Sequence, residues 1–192
     1  MDRLGPRAVG RLEDAERAAR LDAAVAGSGW RELRTGDGTG APWASGVEVA
    51  IVAEALGRGL ADVAFLGPTL AADLRRLAGA SEASARETVA LRADLSGLAA
   101  QGEDAVAVDV SGAGSALALG PGGALASVAL SGAPAGVDLT RPTMRVPASP
   151  ATPVGGSVTE EAVRRCGRWT RWSRPRPSRR RRRRRRTRHV RR

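Results

Sequence analysis

The sequence predicts an α+β fold: an N-terminal α-helical domain, then a small antiparallel β domain, then a disordered arginine-rich tail. Three observations carry this expectation. Up to Gly79 apolar residues recur at three- and four-residue spacing, the helical period. From Glu87 the spacing drops to two, the period of strands whose side chains alternate between faces. Beyond Glu161 acidic residues cease and arginine takes over. Helices that precede strands, rather than alternating with them, argue α+β over a βαβ order. The expected boundaries are 1–84 for the helical domain, 85–147 for the β domain, and 148–192 for a linker and basic low-complexity tail.

The first helix is expected over Leu12–Ala26, LEDAERAARLDAAVA, a run of good helix formers with Leu21 and Val25 four apart. Gly27-Ser28-Gly29 stops it, and Trp30 and Leu33 follow as packing anchors. The second and best-defined helix lies in Ala44–Gly79. Ser45 with Glu48 makes a capping-box pattern. Val47, Ile51 and Ala55, with Val52 and Leu56 beside them, form an apolar stripe expected to face the core. Gly57 and Gly59 end this helix. Gly67-Pro68 opens another, Thr69–Ala78, with Leu70, Leu74 and Leu77 inward and Asp73, Arg75 and Arg76 polar. The two helices are expected to form an antiparallel hairpin. The strands are expected in ETVALRADL (87–95), DAVAVDV (104–110), SALALG (115–120), ALASVALSG (124–132) and VDLTRPTMRVP (137–147), with glycine turns between them.

Composition limits both the core and the chemistry. The 192-residue chain has one Phe, no Tyr and two Met, so its core rests on Ala, Val and Leu, which bury little area each. Lysine is absent throughout, and the single Cys (Cys166) and His (His189) both lie in the basic tail. Residues 1–161 therefore exclude a His-assisted nucleophile, a thiolate, a Schiff-base lysine and a Cys/His metal site. No metal site and no catalytic residue is assigned. No apolar run of about 18 residues is present, so no membrane span is expected. The charged N-terminus lacks the apolar segment of a secretory signal, which leaves the cytoplasm as the expected location.

Other local features compete with plainer readings. Gly36-x-Gly38-x-Gly40 suggests a phosphate cradle, but no strand precedes it and the spacing is not that of a dinucleotide fingerprint, so a loop is the expectation. The later glycine-rich stretches read as hairpin turns. Glu54 and Asp62 are candidate catalytic carboxylates, against the commoner role of a solvated or arginine-paired group.

Gly29-Trp30 with Glu32-Leu33, the phrase Glu48–Leu60 (EVAIVAEALGRGL) and FLGPTLAADLRRLAG (Phe65–Gly79) together resemble the N-terminal helical domain of actinobacterial-type acyl-CoA dehydrogenases. The strand segments and VDLTRPTMRV resemble that family's middle β domain, so the resemblance spans about residues 15–147. It implies an FAD-dependent oxidoreductase of fatty-acid or lipid metabolism that forms an α,β double bond in an acyl-CoA thioester. A carboxylate would remove the α-proton and the flavin would take the β-hydride. The resemblance also places Phe65, Leu66 and Pro68 in a segment near the acyl pocket, with packing as their competing role. The chain departs from the family's pattern in a short first helix, a missing aromatic-x-x-Thr-Glu phrase and a missing C-terminal helical domain with its catalytic Glu. No catalytic or FAD-binding residue is therefore carried over, FAD binding is expected to be poor, and the chain reads as truncated, with little or no activity. Association into homo- or hetero-oligomers is a further expectation.

The tail carries two readings. Residues 1–161 hold 20 acidic residues against 14 Arg, a net of −6, and residues 162–192 hold 17 Arg and no acid. One reading is a non-enzymatic module whose tail binds nucleic acid or another polyanion, with Arg on phosphates and Trp169 and Trp172 on bases. The other is a reading-frame slip near Cys166 in a GC-rich gene, since alanine codons read one base late become arginine codons. Thr159–Arg165 still reads as the start of a helix.

Overall fold

The computed structural model describes residues 5–6, 8–36, 39–136 and 138–163. Expectations on Cys166, Trp169, Trp172, His189 and the arginine run lie outside the described residues.

The described residues combine α-helices with a six-stranded sheet, an α+β fold. The first helix, α1 (Ala15–Gly27), starts where Asp14 accepts a hydrogen bond from the Arg17 amide at 2.9 Å, an N-cap that satisfies one orphan donor. A 3-10 turn, Trp30–Arg34, follows. The second helix, α2 (Gly46–Arg58), is capped by Ser45, whose Oγ accepts from the Val47 amide and donates to the Glu48 carboxylate. The third, α3 (Leu66–Ala78), begins three residues earlier than the sequence suggested and ends at Gly79 in the left-handed region.

Leu21, Val25, Val49, Leu56, Val63 and Phe65 bury together as the core of the helical part, with Trp30 and Leu33 packed partly against it. The apolar stripe of α2 is corrected. Leu56 is buried and Val52 packs partly on the core as expected, but Val47 and Ile51 are 66% and 61% exposed, and Val49 faces inward. Both faces of α2 are apolar, so periodicity alone does not say which one the fold covers. The hairpin of α2 and α3 is corrected too: α3 packs on the Trp30–Arg34 turn and on the sheet rather than along α2.

The strands are β1 (Glu87–Arg92), β2 (Ala105–Ala107), β3 (Ser115–Leu119), β4 (Ala124–Ala129), β5 (Met144–Arg145) and β6 (Thr152–Ser157), in the order β5-β2-β1-β3-β4-β6. The expected antiparallel sheet is corrected to a mixed one. After pairing with β1, the chain leaves β2, crosses and places β3 on the other side of β1, so β1 and β3 run parallel while the remaining pairs are antiparallel. Alternation along β1 sorts its residues onto two faces. Val89 and Leu91 join Leu74 of α3, Leu117 and Leu125 in one core, and Ala90 joins Ala107, Ala116, Ala118 and Val128 in another. Helix α3 thus shares a core with the sheet across the expected boundary at residue 84.

The expected linker from residue 148 is corrected as well. Thr152–Ser157 forms the edge strand β6 against β4, with Pro153 at a position an edge tolerates. Gly156 makes this possible: its φ is +70°, and a Cβ there would run into the Ala78 carbonyl at the end of α3. Residues 160–163 then begin a helical turn whose Ala162 amide bonds to Thr159 Oγ1, with Val158 and Ala162 buried on the sheet.

Candidate functional site

An open cleft of about 740 Å3 runs along α3. Residues one helical turn apart on α3 make its floor: Pro68, Ala72, Arg75, Arg76 and Gly79. The Trp30–Arg34 turn and the following loop form one wall with Arg31, Glu32, Thr35, Gly36 and Gly40, and residues 80–87 form the other. Small side chains at Ala26, Ala72, Ala80, Ala83 and Ala85 keep it open.

Four arginines reach this cleft, and each is held by the chain itself. Arg31 donates through Nε to the Ala64 carbonyl at 2.8 Å and through Nη2 to Asp22. Arg86 forks onto both Asp22 oxygens, at 3.1 and 2.9 Å. Arg75 forks onto Glu87 and also donates to the Ser81 carbonyl. Arg76 bonds Asp73 and the Gly40 carbonyl at 2.9 Å, so the glycine loop is pinned by its own carbonyl. Burial alone would raise the Asp22 carboxyl, but the hydrogen bonds from Arg86 and Arg31 outweigh it and hold it below its ordinary value. The carboxylates are partly shared: Asp22 serves both Arg31 and Arg86, Asp73 serves both Arg34 and Arg76, and Glu87 serves Arg75.

The segment singled out in the sequence divides. Phe65 is fully buried in the helical core, Leu66 packs against that core, and Pro68 lines the cleft. Of the three, only Pro68 faces a space a substrate can enter. Glu54 pairs with Arg58 on the surface at 2.5 Å. Asp62 receives both Nη groups of the fully buried Arg17, whose own ionisation is strengthened chiefly by that hydrogen bond. Both carboxylates therefore fit the arginine-paired role. Of the glycine loop, Gly36 pairs with Pro42 across a short bridge, and Gly38 lies outside the described residues.

What sequence reasoning missed is Asp109. It is buried, sits at φ +57°, and its Oδ2 accepts the Phe65 amide at 2.7 Å and the Gly67 amide at 3.2 Å. It thereby caps α3, whose N-cap residue Phe65 supplies no side-chain cap of its own. The alternation of Asp104–Val110 gave no hint, because a cap usually lies just before its helix and this one is about forty residues downstream.

Among the described residues, the cleft offers no aromatic ring for a flavin to stack on. The four guanidiniums are engaged by internal acceptors, and neither Trp30 nor Trp43 lines the space to stack on a ring. Among the described residues no cluster of His, Cys, Asp or Glu has metal-binding geometry, and no helix is long and apolar enough to cross a membrane. No family model matches the chain, and no curated protein or solved structure matches it.

Proposed function

We propose that this chain is an acyl-CoA dehydrogenase-like protein whose described residues build the wall for the acyl group but neither a flavin site nor a catalytic base, so that alone it turns over little or not at all. The observation that carries this is the seating of Phe65-Leu66-Gly67-Pro68. The phrase that resembles the family links the helices to the sheet, is fixed there by Asp109, and turns Pro68 into the cleft. The small apolar lining from Pro68 and Ala72 suits a thin aliphatic chain, and the nearby guanidiniums are held by the chain's own acceptors. Titration with an acyl-CoA, with coenzyme A and with the free fatty acid, followed by tryptophan fluorescence, tests it: saturable binding that tightens as the acyl chain lengthens is expected. No response to any acyl-CoA sinks the proposal.

A second reading rests on the 17 Arg and no acid in residues 162–192. Such a segment takes up polyanions with steep salt dependence. Binding to random DNA that vanishes on deleting residues 164–192, with acyl-CoA showing no effect, favours it.

A further inference from the structure

Asp109 and Arg141 are joined in a way the fold does not otherwise require. The Asp109 side chain is 4% exposed and that of Arg141 23%, and Arg141 Nη1 stands 3.5 Å from Asp109 Oδ2. Asp109 Oδ1 and Arg141 Nη1 are both buried, and neither meets a hydrogen-bond partner among the described residues. Buried polar groups are nearly always paired, and leaving them unpaired is costly in a low-dielectric setting. Asp109 also holds a left-handed backbone conformation, which a side chain other than glycine adopts at some cost.

The surroundings allow a second arrangement. Arg141 is carried by a turn in which Asp138 accepts from the Thr140 amide and hydroxyl, and that turn is tied to the sheet where the Val110 amide donates to the Pro142 carbonyl at 3.0 Å. A bond from Nη1 to Oδ1 would satisfy both atoms and leave Oδ2 to the Phe65 and Gly67 amides.

We propose that Asp109 and Arg141 form a latch with a disengaged state, the one described, and an engaged state in which Nη1 bonds Oδ1. Engagement stiffens Asp109 and with it the head of α3. Through Gly67 it reaches Pro68, so the position of the 138–142 turn is transmitted to the floor of the cleft. The latch stands independently of the acyl-CoA reading, because it concerns only contacts of the chain with itself.

Amide hydrogen exchange on the full chain tests it. Arg141→Gln is expected to lower the protection of the Phe65 and Gly67 amides by roughly fivefold or more, while Leu117 in the sheet stays unchanged. Asp109→Asn is expected to do the same, and the double variant to add nothing further. Unchanged Phe65 and Gly67 protection in Arg141→Gln overturns the latch, as does fully additive loss. Should either variant fail to fold, relaxation dispersion on the unaltered protein decides. The latch requires one common exchange process at the Gly67 and Arg141 amides, and unrelated rates or no exchange overturn it.

Discussion

Replacing Gly67 by alanine sets helix preference against space. Gly67 is the second residue of α3, and alanine in a helix is favoured over glycine by up to about 1 kcal/mol. A Cβ there meets Thr88 Oγ1, the Val108 carbonyl at 2.7 Å and Asp109 Cβ at 3.1 Å. The Val108 carbonyl is backbone just past the end of β2, where its amide still bonds Val89, and cannot readily swing aside. Overpacking of this kind costs about 1–3 kcal/mol. Displacing Thr88 Oγ1 gives up its hydrogen bond to the Val108 carbonyl, about 1 kcal/mol, and loosening the Asp109 cap costs about another 1 kcal/mol. The net is a destabilisation of roughly 2–4 kcal/mol, a large part of the roughly 5–15 kcal/mol that holds a typical domain. Gly57, inside α2 with nothing within 4 Å of an added methyl, is the control: its alanine variant should gain about 0.5–1 kcal/mol. Urea unfolding of both variants, with midpoints compared at equal slope, reads the difference. Gly67→Ala as stable as the parent refutes the close packing of α3 on the sheet.

Three further outcomes follow from the same contacts. Asp62→Asn leaves the fully buried Arg17 without its carboxylate and should cost about 3–5 kcal/mol, whereas Arg17→Met with Asp62→Leu should recover much of it; chemical denaturation of both variants checks this. Asp22 and Asp14 have carboxyls lowered on folding, Asp14 mainly by the Arg17 amide, so each contributes stability that is present above the unfolded value near 3.8 and lost as pH falls through the lower folded value. Thermal unfolding between about pH 5 and about pH 2 should show that loss, and Asp22→Asn should flatten part of it. Val47→Lys and Ile51→Lys, at positions 66% and 61% exposed, should each change stability by no more than about 0.5 kcal/mol; a loss of several kcal/mol in thermal unfolding contradicts the outward placement.

The parts of this fold that local chemistry dictates were readable. Ser45 and Glu48 start α2 and Gly79 ends α3, because caps act over three or four residues. The period-two runs marked β1, β3 and β4 for the same reason. What failed was everything set by distant partners. The parallel pairing of β1 with β3 depends on where the chain crosses, which alternation does not encode. Residues 152–157 look like a linker by their Pro and Gly content, yet those residues suit an edge strand that passes the end of α3. Val47 and Ile51 carry the same pattern as a buried stripe, and only the placement of the Trp30–Arg34 turn and α3 shows that the opposite face is covered. At the candidate site, the internal engagement of Arg31, Arg75 and Arg86 was not legible, since their carboxylate partners lie 9 to 64 residues away.

The central claim is that the cleft beside Pro68 receives the acyl part of an acyl-CoA thioester. The direct measurement is a titration of the full chain with a medium-chain acyl-CoA beside free coenzyme A. The account predicts saturable binding of the thioester and a weaker response to coenzyme A, with the gain lost in Ala72→Trp, which fills the cleft floor. Equal responses to both ligands, or none up to about 1 mM, a limit near about 4 kcal/mol of binding free energy, contradict it.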